Sequence, residues 1–525
     1  MRRAQLNRTY DVAVVGSGFA GSLFAMIARR LGHSVALLER GRHPRVVIGE
    51  SSTPLSNLLL EDLAKRYDLP AIRPLTKWGS WQEKYSDLPC GLKRGFSFFH
   101  HDLHCQDPWK TTAENHFLVA ASPHNEIADT HWYRADFDQL LVKLAQDLGV
   151  EYVDEVHLQR FADTGNWIEL TGTRLGKEMT VQAAFVADAT GPRGCLHRLL
   201  GLEPRGFSNY PSTRGLYSHF RGVKRAVESI HLQTSDCPPY PIEDAAVHHV
   251  FDGGWVWLLH FNNGITSAGV AATEAMAREL GLAEGQPAWS RLLERVPSLA
   301  AQFADATYVL PFTYLPQLSF RSATVVGERW ALLPSAAGFV DPLLSTGFPL
   351  ALLGVARLAA TLEQHWKLPS MQQELSKYAA STNDELDATS RLIAALYANM
   401  HNFEVFRAIS LLYFAAASFS ETVRRLGKPH LANGYLLYND PRFGPASRDL
   451  LERAQAGVAA QDAGRFKEEV KRAIEPFDVA GLCIERATPW YPVDAEDLRK
   501  SAWKVGATEK EVADLLERSG FFTQR

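Results

Sequence analysis

Cysteine is scarce in this chain. Five residues, Cys90, Cys105, Cys195, Cys237 and Cys483, are scattered through 525 positions with no C-x-x-C spacing. An odd, sparse set argues against a disulfide framework and against a structural zinc site. No apolar signal core precedes the first strand; the chain opens Met1-Arg2-Arg3-Ala4-Gln5-Leu6. The longest apolar runs, such as Ile409 to Ala417, fall well short of the ~20 residues a bilayer span requires. These absences imply a soluble protein in a reducing, cytoplasmic setting. Positive charge is not in excess, since the net charge is −4, so there is no electrostatic case for nucleic acid or an anionic membrane. Internal repeats and low-complexity tracts are absent. His100, His101 and His104 cluster, but no carboxylate or cysteine stands at ligand spacing and Cys105 reads as a loop residue, so no metal is expected.

Apolar residues make up 46% of the chain and charged residues 22%, the balance of a globular protein. The length exceeds what one compact core holds and implies two or three structural units. Asp11 to Val15 (Asp-Val-Ala-Val-Val) suits a buried parallel strand. Gly16-Ser17-Gly18-Phe19-Ala20-Gly21 follows at once, then a helical stretch from Ser22 to Leu31, a second strand from Ser34 to Leu38, and Glu39 at its end. Each part has a physical role. Gly16 permits the tight turn, Gly18 lets the backbone approach a pyrophosphate, and Gly21 lets helix and strand pack closely. The helix start at Phe19 and Ala20 offers free N–H groups to phosphate oxygens. Glu39 can accept from ribose hydroxyls, with Arg40 beside it. Strand, loop, helix, strand and acid in register form a dinucleotide site.

Two later segments distinguish FAD from NAD. Trp132-Tyr133-Arg134-Ala135-Asp136-Phe137-Asp138 opens a helix running on to Leu148, and Phe185 to Asp188 is a buried strand ending in Asp-Ala-Thr-Gly. Both resemble stretches of the FAD-dependent aromatic hydroxylases. That resemblance places Arg134 near the flavin and Asp188 where the strand closes over the dinucleotide. By residue type alone, Arg134 is equally an ion-pair partner for Asp136 or Asp138.

Four further segments narrow the resemblance. Gly338-Phe339-Val340-Asp341-Pro342-Leu343-Leu344-Ser345-Thr346-Gly347 contains Phe-x-x-Pro-x-x-Ser-x-Gly, and an apolar helix follows from Phe348. Gly49-Glu50-Ser51-Ser52-Thr53-Pro54 carries Gly-Glu-x-x-x-Pro. Lys93 stands 43 residues after Glu50, at the start of an aromatic strand containing Phe98. Gly254-Trp255-Val256-Trp257-Leu258-Leu259-His260 resembles Trp-x-Trp-x-Ile-Pro, with His260 in place of the proline. Together these resemble the flavin-dependent halogenases. The resemblance implies that Gly338, Gly347, Glu50 and Ser51 lie by the flavin, that Thr346 and Gly347 line a halide site, and that Ser345 and Lys93 are catalytic. It further implies that Trp255 and Trp257 screen the flavin from substrate; His260, which replaces the motif proline, is a candidate base near the flavin. Residue types alone leave other readings open: a flavin-closing helix without halide, a solvated strand lysine at Lys93, core tryptophans, and a capping role for Ser51 or Ser52.

Two departures bear on substrate and cofactor. Tryptophan-chlorinating members carry Glu immediately before the motif serine; here it is Leu344. That points away from free tryptophan and toward phenol or pyrrole rings, free or held on a carrier protein. The Gly-Asp pair usual before this segment is Pro334-Ser335, which suits an FAD supplied in reduced form by a separate flavin reductase.

The expected architecture is α/β: a Rossmann-type FAD-binding domain with an inserted β-sheet substrate domain and a helical C-terminal region. The parts are residues 8–202 and 318–365 for FAD, 203–317 for the substrate-facing sheet, and 366–525 for the helices. Thr307 to Tyr314 reads as the way back to the FAD domain. The expected activity is halogenation of an electron-rich aromatic ring, by reduced FAD, dioxygen and chloride or bromide, through hypohalous acid and Lys93. The alternative is a halogenase-like monooxygenase that hydroxylates an aromatic ring or a partner-protein side chain. A flavoprotein that modifies or chaperones a partner is a third class. Oligomeric state is not legible.

Overall fold

The computed structural model describes residues 7–104, 115–225, 238–486 and 488–522; Cys105 and Cys237 lie outside the described residues. The strand Asn7–Val15 runs parallel to Val35–Leu38 on one side and to Lys177–Asp188 on the other. Val12, Ala13 and Val14 are fully buried, as an apolar run must be when helices cover both faces of a parallel sheet. The crossover helix, Phe19–Arg30, begins inside the glycine loop, and its last turn carries Arg29 and Arg30 where cations favour the dipole. Glu151–Val153 extends one edge of the sheet, and the antiparallel strands Val156–Asp163 and Ile168–Arg174 extend the other.

The chain returns to this sheet at Trp330–Leu332, parallel to Val186–Asp188. Thr307 to Tyr314 does not make that return. Thr307–Tyr308 and Thr313–Leu315 both pair with Thr213–Arg221 of a second sheet. Alternation alone marks a strand without saying which sheet it joins.

The second sheet takes strands from three distant parts of the chain. Gly95–His100 and His116–Ala120 come from before the insertion; Thr213–Arg221, Ala246–Phe251, Gly254–His260 and Ile265–Thr273 lie within it; Trp490–Tyr491 comes from near the C-terminus. The period of two divides its side chains. Phe96, Phe98, Trp255, Trp257 and Leu259 face the main core. Val256 and Leu258 face a smaller core with Leu280, Trp289 and Phe303, from three short helices between Glu274 and Phe303.

Helices dominate from Gly347–His365 onward. Phe403–Arg425 lies on the second sheet: Phe406 packs edge-on to Phe98, and Tyr413 and Phe414 edge-on to Phe96. Two helical segments, Leu343–His365 and Phe403–Arg425, are long and apolar enough to cross a membrane by length and composition, and both are mostly buried inside the molecule.

Candidate active site

At the glycine loop, Gly16 has φ +98°, and a Cβ there would stand 2.7 Å from the Ala189 carbonyl oxygen. A Cβ on Gly21 would stand 2.0 Å from the Gly16 oxygen. The helix start at Gly18 has no side-chain cap, so its first N–H groups are free for a ligand. Two guanidinium groups, from Arg134 and Arg45, lie 3.5 and 3.9 Å from the Gly18 Cβ position.

Glu39 is held by the loop itself. Its Oε2 accepts from Ser17 N at 3.0 Å and Ser17 Oγ at 2.9 Å, and its Oε1 from Gly41 N at 2.9 Å. Burial works against its charge, but Arg45 and these N–H donors outweigh it and hold the carboxyl at about 2. Arg45, not Arg40, is the cation on Glu39, at 3.2 Å; Arg40 is exposed. Buried His43 Nδ1 and Arg45 Nε have no hydrogen-bond partner. A free helix start, two guanidinium groups and orphaned donors beside an anchored acid fit the pyrophosphate and adenosine of FAD.

Arg134 takes the ion-pair reading, with Asp138 as its partner. It forms a buried two-bond pair with Asp138 at 2.8 Å, and its Nη1 donates to the Gly49 carbonyl at 2.8 Å. It therefore ties the glycine loop to the Gly49–Glu50 segment. Asp188 acts through a turn: it accepts from Thr190 N and Oγ1 and from Leu196 N. The turn it shapes packs against Gly16. Phe19 of the loop, Trp132 and Phe348 form one aromatic group, which seats the helix Gly347–His365 against the nucleotide site.

In the motif before that helix, Leu344 and Ser345 are both left-handed, with φ 62° and 55°. Two such non-glycine residues in succession are rare and mark a constrained turn. The helix start at Thr346 has no side-chain cap. Ser335, Gly338, Thr346 and Gly347 line one small cavity. Gly338 packs closely on the Leu386 side chain, whose end would stand 2.6 Å from a Cβ there. Asp341 is buried and accepts from Leu343 N at 3.0 Å and Tyr397 Oη at 3.0 Å. Tyr397 in turn accepts from Trp255 Nε1 at 3.1 Å. The tryptophan strand is thus bonded to the motif through a tyrosine of the C-terminal helices. Trp257 Nε1 donates to Ser267 Oγ at 3.3 Å.

Glu50 is buried against His219 at 2.8 Å, and the other ring nitrogen, Nδ1, has no partner. The helix after Glu50 is capped by Thr53, in a reciprocal box with Ser56, and not by Ser51 or Ser52. Proline at the next position fixes the start of the helix at Pro54. Ser51 and Ser52 are used by Lys93 instead. Its Nζ donates to Ser51 Oγ at 2.9 Å and to the Ser52 carbonyl at 2.5 Å, and sits 3.9 Å over the Phe96 ring. Lys93 is 0% exposed, which excludes a solvated strand lysine. In the short antiparallel ladder it stands opposite Asp129. Burial pushes the Lys93 ammonium down and the Asp129 carboxyl up, and their mutual attraction opposes both.

His260 hydrogen-bonds Thr266 at 3.0 Å, and burial pushes its imidazole down to about 4, which makes it a weak proton acceptor. His100 meets the Met400 carbonyl and His101 meets His249. Among the described residues no group of histidine, cysteine and carboxylate side chains could hold a metal ion.

Sequence reasoning missed Arg45, His219, Tyr397 and Asp129. None belongs to a spaced motif; each reaches the site through pairing or packing between distant segments.

These features define a Rossmann-type flavoprotein whose nucleotide site is joined to a buried lysine. The tryptophan halogenase family model matches residues 129–405, and a Rossmann-like NAD(P)-binding model matches residues 14–53. The chain belongs to the tryptophan halogenase family; it is an enzyme of the flavin-dependent halogenase class. It is 28% identical over 483 residues to monodechloroaminopyrrolnitrin halogenase PrnC of Pseudomonas fluorescens, covering 87% of this chain and 82% of that one. It is 30% identical over 354 residues to tetracycline 7-halogenase of Kitasatospora aureofaciens, covering 65% and 61%. A crystal structure of halogenase PltM in complex with phloroglucinol and FAD superposes with a TM-score of 0.81 at 23% identity, covering 92% of this chain and 99% of that one.

Proposed function

We propose that the protein halogenates an electron-rich aromatic ring of phenol or pyrrole type, with Lys93 delivering the electrophile. Bound in its reduced form, FAD together with dioxygen and halide supplies hypohalous acid. The observation that carries the role of Lys93 is its position. It is wholly buried, bonded on one side to the Glu50–Ser52 segment and lying on the other over Phe96. A desolvated amine of lowered basicity can hydrogen-bond hypohalous acid or form a haloamine with it. The uncapped helix start at Thr346 and Gly347 suits a halide, because its N–H groups are anion receptors; Ser345 shapes that turn. Trp255 and Trp257 form the screen between flavin and ring. Two relatives are named for monodechloroaminopyrrolnitrin and for tetracycline, which supports an aromatic substrate other than free tryptophan, as does Leu344. A separate flavin reductase is the source of reduced FAD, and three free cysteines, Cys90, Cys195 and Cys483, suit a cytoplasmic setting.

The test supplies FAD, a flavin reductase, NADH and a panel of phenols, pyrroles and indoles, with chloride or bromide present or withheld. Halide-dependent halogenated products are expected. Products carrying only oxygen, whatever the halide, would establish the hydroxylase reading instead. Lys93→Ala should abolish halogenation while oxygen uptake continues; an unimpaired variant removes Lys93 from the mechanism.

A further inference from the structure

A cavity of about 190 Å³ lies between the second sheet and the C-terminal helices. A cavity of ~150 Å³ accepts a benzene ring, so this one has room for a substituted aromatic. Its walls set Phe96, Tyr413 and Phe414 beside polar and charged side chains that include Asn57, Asp129 and Lys77. Phe96 carries the Lys93 ammonium over its ring. Asp129 stands opposite Lys93 in the ladder, and residues directly opposite have Cβ atoms ~5 Å apart on one face. Phe96 and Asp129 therefore belong both to the cavity wall and to the immediate surroundings of the lysine.

Asp129 has no ordinary structural use for one of its oxygens. Its Oδ1 accepts from Asn57 Nδ2 at 2.9 Å, while its buried Oδ2 has no hydrogen-bond partner. The other charged groups facing it are Glu421 and Arg425, bonded to each other at 2.8 Å, with Tyr413 on the same helix. An unpaired carboxylate oxygen buried in a cavity wall costs stability unless something else uses it.

We propose that this cavity is the substrate chamber and that Asp129 is the base that takes the ring proton during halogenation; this rests on the reading of Lys93 above. Hypohalous acid, HOX, is held by the ammonium. A ring carbon bonds to X as the O–X bond breaks, and Lys93 gives the departing hydroxide a proton, forming water. Asp129 takes the proton from the same ring carbon, and the C–H electrons restore the aromatic ring. The proton then passes from Asp129 back to Lys93, so that ring and HOX become halogenated ring and water. The substrate class follows: an electron-rich ring that fits among Phe96, Tyr413 and Phe414 and directs the reacting C–H, not a charged side group, at Asp129.

The test uses the full-length protein with FAD, reductase, NADH and bromide, and phloroglucinol and pyrrole as probes. Asp129→Asn should lower kcat for ring bromination about 100-fold or more. KM should change little, and oxygen uptake and hypobromous acid, caught by a soluble scavenger, should continue. Asp129→Glu should recover part of the loss. Asn57→Ala removes a hydrogen bond that favours the carboxylate, so the acid limb of the kcat–pH profile should move to higher pH. Asp129→Asn brominating at the parent rate, or losing hypobromous acid along with product, overturns the role of Asp129. If that variant does not fold, an unmoved acid limb in Asn57→Ala overturns it instead. A parent that takes up oxygen but brominates neither probe nor any other phenol, pyrrole or indole overturns the proposed function, and the role of Asp129 falls with it.

Discussion

The glycine loop and the lysine pocket handle charge in opposite ways. At the loop, Glu39 is kept ionised by Ser17, Gly41 and Arg45, each within a few residues of the end of one of two neighbouring strands. In the pocket, Lys93 and Asp129 are both fully desolvated, and burial moves each toward its neutral form. The loop needs fixed charges, because its ligand carries permanent negative charge. The pocket needs groups that exchange a proton, and desolvation brings an acid and a base close enough in strength to do so. One is an electrostatic clamp built locally; the other is a proton-exchanging pair built from distant strands.

Three changes sharpen or break this contrast, beside the substitutions at Lys93 and Asp129. The largest effect is expected from Gly21→Val. Its Cβ would meet the Gly16 oxygen at 2.0 Å, a backbone clash that no side-chain rotation relieves, so FAD affinity should fall by more than about 100-fold. Flavin fluorescence titration measures it, and near-normal binding would mean the loop is not the rigid half of the pair.

Glu39→Gln should be milder, weakening FAD about tenfold, ~1.4 kcal/mol, because one charge-assisted acceptor is lost. It also carries a pH signature. The folded Glu39 carboxyl sits at about 2, below its ordinary value of 4.5. Its stabilising contribution is therefore present above about 4.5 and is lost as pH falls toward 2. Thermal melts across that window should decline more steeply for the parent than for Glu39→Gln. Equal slopes would remove Glu39 as the fixed charge.

The smallest effect is expected from Tyr397→Phe, which removes the hydroxyl between Trp255 and Asp341. The cost should be about 1–2 kcal/mol. Burial already pushes Asp341 up to about 7 from 3.8. A raised carboxyl contributes its stability below 3.8 and loses it as pH rises through 7. Without the tyrosine donor the charged form is less favourable still, so the Tm deficit of Tyr397→Phe should grow on the alkaline side. A deficit independent of pH would mean that the hydroxyl does not act through Asp341.

What was legible in the sequence follows from the range of the interactions. The first strand, the glycine loop, the following helix and Glu39 lie within one stretch of chain, and each constraint there is local: φ at Gly16, contact at Gly21, free N–H groups at the helix start. The motifs at Gly49, Lys93, Trp255 and Phe339 were visible as separate segments. Their bonds to one another were not, because a lysine has the same spacing whether it points to water or is buried over Phe96.

Residue order was enough to mark a Rossmann-like phosphate loop and the halogenase class, since those depend on short-range backbone geometry and on residue types in fixed order. Folding was needed to show that Thr53 caps the helix after Glu50, leaving the Ser51 hydroxyl and the Ser52 carbonyl to Lys93. It also decided that Arg45 serves Glu39, that Tyr397 joins Trp255 to Asp341, and that Asp129 faces Lys93. The reason is physical: strand pairing between Cys90–Lys93 and Asp129–Trp132, and the packing of late helices on an early sheet, set distances and desolvation that residue order does not contain.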